Sequence, residues 1–223
     1  LSITDVTGLD GYRYRIEATG GVCTSVTFAG ALLTVDGANP MADAGSDETM
    51  CAYAGATFNL ASAASQASSS NGSISWTSSG TGSFSNPNVI HPVYTPSAAD
   101  ISGGSVTLVL VVTGSGTCSG SAVQDEMTLT FDSANAPTVN AGPNILVCTF
   151  DLPIDFATLD VPPVATNGTV TWTKAGGVTG TFNNVNLVTP VFTPSAADIM
   201  NGSVTLTMTV QGTSGTCAGA QLS

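Results

Sequence analysis

The feature that most constrains this chain is its likeness to itself. Tyr94-Thr-Pro-Ser-Ala-Ala-Asp-Ile101 returns as Phe192-Thr-Pro-Ser-Ala-Ala-Asp-Ile199, 98 positions later. Around that block, Trp76 matches Trp172, Phe84 matches Phe182, and Gly104-Ser-Val-Thr-Leu108 matches Gly202-Ser-Val-Thr-Leu206. Ala44-Gly45 and Cys51 match Ala141-Gly142 and Cys148 at an offset of 97, and Gly116-Thr-Cys118 matches Gly215-Thr-Cys217 at 99. A fixed period with a drift of one or two residues is the signature of tandem units with small loop insertions. Residues 38–134 form one complete repeat, and residues 135–223 form a second, truncated at its last strand. Residues 1–37 read as the C-terminal part of a preceding domain, because Leu33-Thr-Val-Asp36 and Leu129-Thr-Phe-Asp132 precede similar linkers. The chain is therefore expected to be an excerpt from a longer array.

Within each repeat the dominant period is two. Val106, Leu108, Leu110 and Val112 alternate with Thr107, Val109 and Val111, as in a strand whose one face is fully buried. Short runs rich in Val, Ile, Thr and Phe are separated by Gly, Ser, Asn and Pro. Helical signal is confined to Ser97-Ala-Ala-Asp100 and Ser195-Ala-Ala-Asp198, which match a capping box opening one helical turn. Short strands in a unit of just under 100 residues predict an all-β fold of tandem immunoglobulin-like sandwiches. Trp76 and Trp172, each following an Asn-Gly turn, are the expected core aromatics.

The five cysteines are Cys23, Cys51, Cys118, Cys148 and Cys217. The intervals Cys51 to Cys118 and Cys148 to Cys217 are 67 and 69 positions, which predicts the same bridge made once in each repeat. Cys23 is then left for a partner upstream of the fragment. Bridges imply an oxidising, extracytoplasmic setting. Charge narrows the partners. With 3 Lys+Arg against 15 Asp+Glu and a net charge of −12, the chain cannot neutralise nucleic-acid phosphates, nor be drawn to anionic lipid. The longest aliphatic-rich run, 106–112, is too short to span a membrane.

No constellation points to catalysis. Gly116-Thr-Cys-Ser-Gly120 and Gly215-Thr-Cys-Ala-Gly219 imitate a nucleophile elbow but have no helical context and no base. His91, the one histidine, corresponds to Thr189 in the second copy, so one repeat manages without imidazole. The metal candidates are Asp36, Asp43, Asp47 and Glu48 near the first junction, where carboxylates could hold Ca²⁺. The second copy has Asn140, Asn144 and Ile145 in corresponding places, which favours a solvated acidic surface; no other cofactor is implied.

Ala44-Gly-Ser-Asp-Glu-Thr-Met-Cys51, Ile74-Ser-Trp-Thr-Ser-Ser-Gly-Thr-Gly-Ser-Phe84 and Tyr94-Thr-Pro-Ser-Ala-Ala-Asp100 resemble the PKD-like, Ig-like repeats of very large Bacteroidota surface proteins. Gly11-Tyr-Arg-Tyr14, Ala18-Thr-Gly20 and Cys23 resemble the end of another such repeat. The resemblance implies type 9 secretion and display on the outer surface, with giant gliding-motility adhesins of the SprB type as the nearest kind. Asp132-Ser-Ala134 also resembles a Bacteroidota O-glycan acceptor, which makes Ser133 a candidate glycosylation site.

The expectation is a non-enzymatic stalk segment of an outer-membrane-attached adhesin. Its partners would be neighbouring repeats, with surface polysaccharide or the secretion and motility machinery as further candidates. Two alternatives stay open. One is a spacer or carbohydrate-binding module of a secreted polysaccharide-degrading enzyme; the other is a self-assembling filament or surface-layer subunit.

Overall fold

A computed structural model of the chain describes residues 39–223 and, before them, only four two-residue strands. These are β1 (Arg13–Tyr14), β2 (Glu17–Ala18), β3 (Val26–Thr27) and β4 (Ala31–Leu32), paired β1 with β4 and β2 with β3. The rest of residues 1–38, Cys23 and Asp36 included, lies outside the described residues.

The first repeat runs β5 (Met41–Asp43), β6 (Glu48–Cys51), β7 (Phe58–Asn59), β8 (Ser68–Ser70), β9 (Gly72–Ser78), β10 (Ser83–Phe84), β11 (Val93–Thr95), α1 (Ala98–Gly103), β12 (Ser105–Gly114) and β13 (Ala122–Asp132). A four-stranded sheet of order β6-β13-β12-β9 and a three-stranded sheet of order β10-β11-β7 share one core, with β5 and β8 paired beside them. The fold is a tandem, all-β, immunoglobulin-like sandwich. β12 sits at its centre because its alternation is the cleanest: Val106, Leu108, Leu110 and Val112 are buried, while the residues between them are half-buried. Burying one whole face of a strand is what holds its register, since a slip of one residue would turn that face to water.

The chain crosses from β8 to β9 through Asn71, which takes a left-handed φ of 58°. Asparagine tolerates that conformation better than other side-chain-bearing residues. Its amide then donates to the carbonyl of Asn39, tying the turn to the start of the repeat.

The second repeat copies this order without a counterpart of β6: β14 (Thr138–Asn140), β15 (Ile154–Asp155), β16 (Val164–Thr166), β17 (Gly168–Lys174), β18 (Thr181–Phe182), β19 (Val191–Thr193), α2 (Ala196–Asn201), β20 (Leu206–Gly212) and β21 (Gln221–Leu222). Its sheets are β17-β20-β21 and β15-β19-β18. β21 contributes two residues where β13 contributes eleven. Ile145, Leu146 and Val147, at the positions of Glu48, Thr49 and Met50, are accordingly exposed, whereas Met50 is buried. They border a cavity of about 580 Å³ between residues 141–149 and β20.

Leu110 is fully buried on the central strand. Leu110→Ala is expected to lower the stability of the first repeat by roughly 3 kcal/mol, the middle of the range for a core leucine. Denaturant unfolding followed by tryptophan fluorescence measures it.

Candidate functional site

Two arrangements of polar side chains stand out: a carboxylate clamp inside each repeat and a covalent junction between the repeats. The clamp begins with the capping box. The hydroxyl of Ser97 accepts from the Asp100 backbone N–H, and the Asp100 carboxylate accepts from the Ser97 N–H. Asp100 is 5% exposed and does more than cap, because its carboxylate also accepts from the N–H groups of Thr81 and Gly82 at 2.8 Å each. The Tyr94 hydroxyl donates to it as well, at 2.8 Å. A side chain at Gly82 would meet the Tyr94 hydroxyl and the Asp100 carboxylate at 2.5 and 2.7 Å, so the loop must be bare there to reach the clamp.

The second repeat rebuilds it with Asp198, which accepts from the N–H groups of Thr179, Gly180 and Ser195. Phe192 replaces Tyr94, so the phenolic donor is lost and the backbone donors remain. Burial opposes ionisation of Asp100, but the Ser97 and Thr81 amides and the Tyr94 hydroxyl outweigh it and hold its pKa at about 2. Asp198 is likewise held at about 2, chiefly by the Ser195 amide, with the Thr179 amide assisting against the cost of burial. With their oxygens occupied by donors, both carboxylates are structural acceptors.

The junction is built from the ends of both repeats. Cys51, at the end of β6, is bonded to Cys217 in the hairpin loop between β20 and β21, with Cα atoms 4.8 Å apart. Ala136 of the linker is buried with the bridge, and Tyr53 and Ala220 pack against it. Asp132, the last residue of β13, accepts from the Thr216 hydroxyl at 2.8 Å and from both the backbone and the amide of Asn135. Those donors, Asn135 first and Thr216 next, lower its pKa. Asn167, left-handed like Asn71, donates its amide to the carbonyls of Ala134 and Ala136, fastening the second repeat to the linker.

This pairing corrects the expected bridges. Cys51–Cys118 and Cys148–Cys217 are not formed, and Cys118 and Cys148 are free thiols. The reason is the register of β6. It runs parallel to β13 with Cys51 opposite Asp132, while Cys118 lies before Ala122 at the other end of the same strand. Ten strand residues at about 3.3 Å each separate those ends by roughly 33 Å, far beyond the ~7 Å limit for bridged Cα atoms. In the second repeat Cys148 lines the same cavity as Val204 and Leu206 at the start of β20, whereas Cys217 follows the strand's other end at Gly212 and is bonded to Cys51.

The other sequence candidates fall apart from one another. Asp43 accepts from the Gly45 N–H, Asp47 from the Thr128 N–H and Glu48 from the Ala64 N–H, so three backbone amides in different segments claim them. No group of three metal-ligating side chains is present among the described residues. His91 contacts the Ala67 carbonyl through Nε2. Trp76 and Trp172 are 2% and 3% exposed and donate their indole N–H to the carbonyls of Ile90 and Leu187. Ser133 is exposed in the linker. Sequence alone gives Asp132, Asn135, Thr216 and Asn167 no role at a junction. The repeated Asp-x-Ala-Asn linker was the available signal for Asp132 and Asn135, the repeated Asn-Gly turn for Asn167, and the repeated Gly-Thr-Cys for Thr216.

No family model and no curated protein matches the chain. Among solved structures, it is similar to protocadherin gamma B7 extracellular cadherin domains 1–4 at 13% identity and TM-score 0.30, covering 79% of this chain and 46% of that one. Mouse cadherin-23 EC22–24 aligns at 15% identity and TM-score 0.32, over 82% of this chain and 63% of that one. Protocadherin gamma C5 EC1–3 aligns at 15% identity and TM-score 0.30, over 93% and 75%. The chain spans less than half the length of the first of these. At such scores the likeness carries no argument about function.

The clamps set an acid limit. Unfolding returns Asp100 and Asp198 from about 2 to an ordinary value near 3.8, so below that value the unfolded chain binds more protons. Stability is therefore expected to be full above about pH 4 and to fall as pH drops toward 2. Thermal melts across that range should show it, and Asp100→Asn with Asp198→Asn should flatten the dependence while lowering the plateau.

Proposed function

We propose that the chain is a non-catalytic, extracellular repeat segment of a cell-surface adhesin, forming a stalk that projects a distal adhesive region. The observation that carries this reading is the junction. A short linker buried at Ala136 and Pro137, a bridge from one repeat to the next, and Asp132 held by Asn135 and Thr216 together restrict the hinge between consecutive domains. Stacked units that contact only their neighbours are the general form of a spacer. Among the described residues, no helix is long and apolar enough to cross a membrane.

The resemblance of the repeat motifs to Bacteroidota surface proteins supports the finer reading: type 9 secretion, attachment at the outer membrane and a part in gliding or surface attachment. The carbohydrate-binding alternative needs aromatic rings facing solvent, and both tryptophans are internal.

Acrylamide quenching and sedimentation of the purified chain test the proposal. Both tryptophans should stay protected, added polysaccharide should leave that protection unchanged, and the chain should sediment as a monomer at high concentration. Quenchable tryptophans shielded by a polysaccharide would move the chain to the carbohydrate-binding class. Concentration-dependent association would move it to the filament class.

A further inference from the structure

We propose that the Cys51–Cys217 bridge is one rung of a cysteine relay between repeats, which shortens the stretch of chain that a pulling force can unravel. The repeat correspondence divides the cysteines into two positions. Cys51 and Cys148 occupy the first, beside the start of the repeat in sequence, and Cys118 and Cys217 occupy the second, in the hairpin loop that follows the central strand. In space the order is reversed. The first position ends β6 at the exit of its repeat, opposite Asp132, and the second sits at the entrance. The one bridge formed joins a first position to the second position of the next repeat.

Cys118 is placed to do the same toward a preceding repeat. Its sulfur lies 3.9 Å from the side-chain oxygen of Asn39, in the linker that enters its own repeat. Cys217 lies 3.6 Å from the carbonyl of Asp132, the strand residue that precedes the corresponding linker. Cys148, the counterpart of Cys51 in the repeat alignment, is an exposed free thiol. The relay therefore pairs Cys118 with a first-position cysteine of a preceding repeat and Cys148 with a second-position cysteine of a following one. Each bridge forms by thiol–disulfide exchange. Two thiols give up two protons and two electrons, and a disulfide oxidant takes them up to become two thiols.

The mechanical consequence follows from the sequence separation of 166 between the bonded residues. Tension entering at one end passes from Cys51 through the sulfurs to Cys217, and the residues between carry none of it. A pair of intra-repeat bridges would hide only 67 and 69 positions. This deepens the stalk reading but rests on the repeat geometry and not on adhesion, so bridge mapping and adhesion measurements can fail separately.

Force spectroscopy on the 223-residue chain, tethered at its termini, distinguishes the cases. At about 3.4 Å per extended residue, the fully unfolded oxidised chain should reach about 190 Å. The reduced chain should reach about 760 Å, a four-fold change, and Cys217→Ser should give the longer value under both conditions. An oxidised length near 300 Å would mean intra-repeat bridges, and an unchanged 760 Å would mean none; either overturns the proposal. The relay itself is tested by inserting a second copy of residues 38–134 after Ala134 and mapping bridges without reduction. With the inserted copy marked by Thr49→Ser and Ser119→Thr, linked peptides from Cys51 of the first copy to Cys118 of the second and from Cys51 of the second copy to Cys217, with Cys148 alkylated, are expected; a Cys51–Cys118 peptide within one copy, or a Cys148–Cys217 peptide, overturns it. Should the longer chain fail to fold, mapping Cys217→Ser in the original chain decides, because a Cys51–Cys118 peptide there contradicts the geometry.

Discussion

The parallel pairing of β6 with β13 governs the rest of the molecule. Once Cys51 lies opposite Asp132, the start of the repeat in sequence and its exit in space coincide. The long β12–β13 hairpin then carries Cys118 back to the entrance. The same pairing buries Met50 and brings Cys51 within reach of the next repeat. In the second repeat, where β21 offers two residues in place of β13, the counterpart segment is left exposed and Cys148 with it. One strand pairing thus decides both the completeness of a core and the route of a covalent bond.

Carboxylates in this chain work mainly on backbone amides. Lys and Arg together number only three, so acidic side chains have few cationic partners. Asp43, Asp47, Glu48, Asp100, Asp125 and Asp198 each accept from at least one backbone N–H. Hydrogen bonds from neutral donors to an ionised acceptor are among the stronger ones available. They also anchor loops that an aromatic-poor core would leave loose. The loss of the Tyr94 hydroxyl in the second repeat, where Phe192 stands, is tolerated because three backbone donors still hold Asp198.

The acidic balance therefore has a double reading. It sets electrostatic repulsion against phosphate-bearing partners, and it supplies the acceptors that close each repeat and each junction. Asp132 belongs to both groups, since it ends β13 and receives Thr216 from the neighbouring repeat. Repulsion along an array of such units favours extension over compaction. The bridge adds a covalent limit to how far that extension can run.

The two-fold repeat, the strand-rich class, the core tryptophans and the capping boxes were legible in the sequence, because each rests on local periodicity or on a motif a few residues long. Alternation in 106–112 specifies a buried strand face, and Ser97 with Asp100 specifies a cap, whatever surrounds them. The second use of Asp100, on Thr81 and Gly82, was not legible, because those donors come from a loop 18 and 19 residues away. The disulfide pairing failed for a related reason. Near-equal intervals of 67 and 69 reflect the period of the repeat and are silent about which end of a strand each cysteine occupies. Only the tertiary structure, through the direction of β6 against β13, places Cys51 beside Cys217 and far from Cys118. Sequence determines which residues recur, and strand direction in space determines which recurring residues meet.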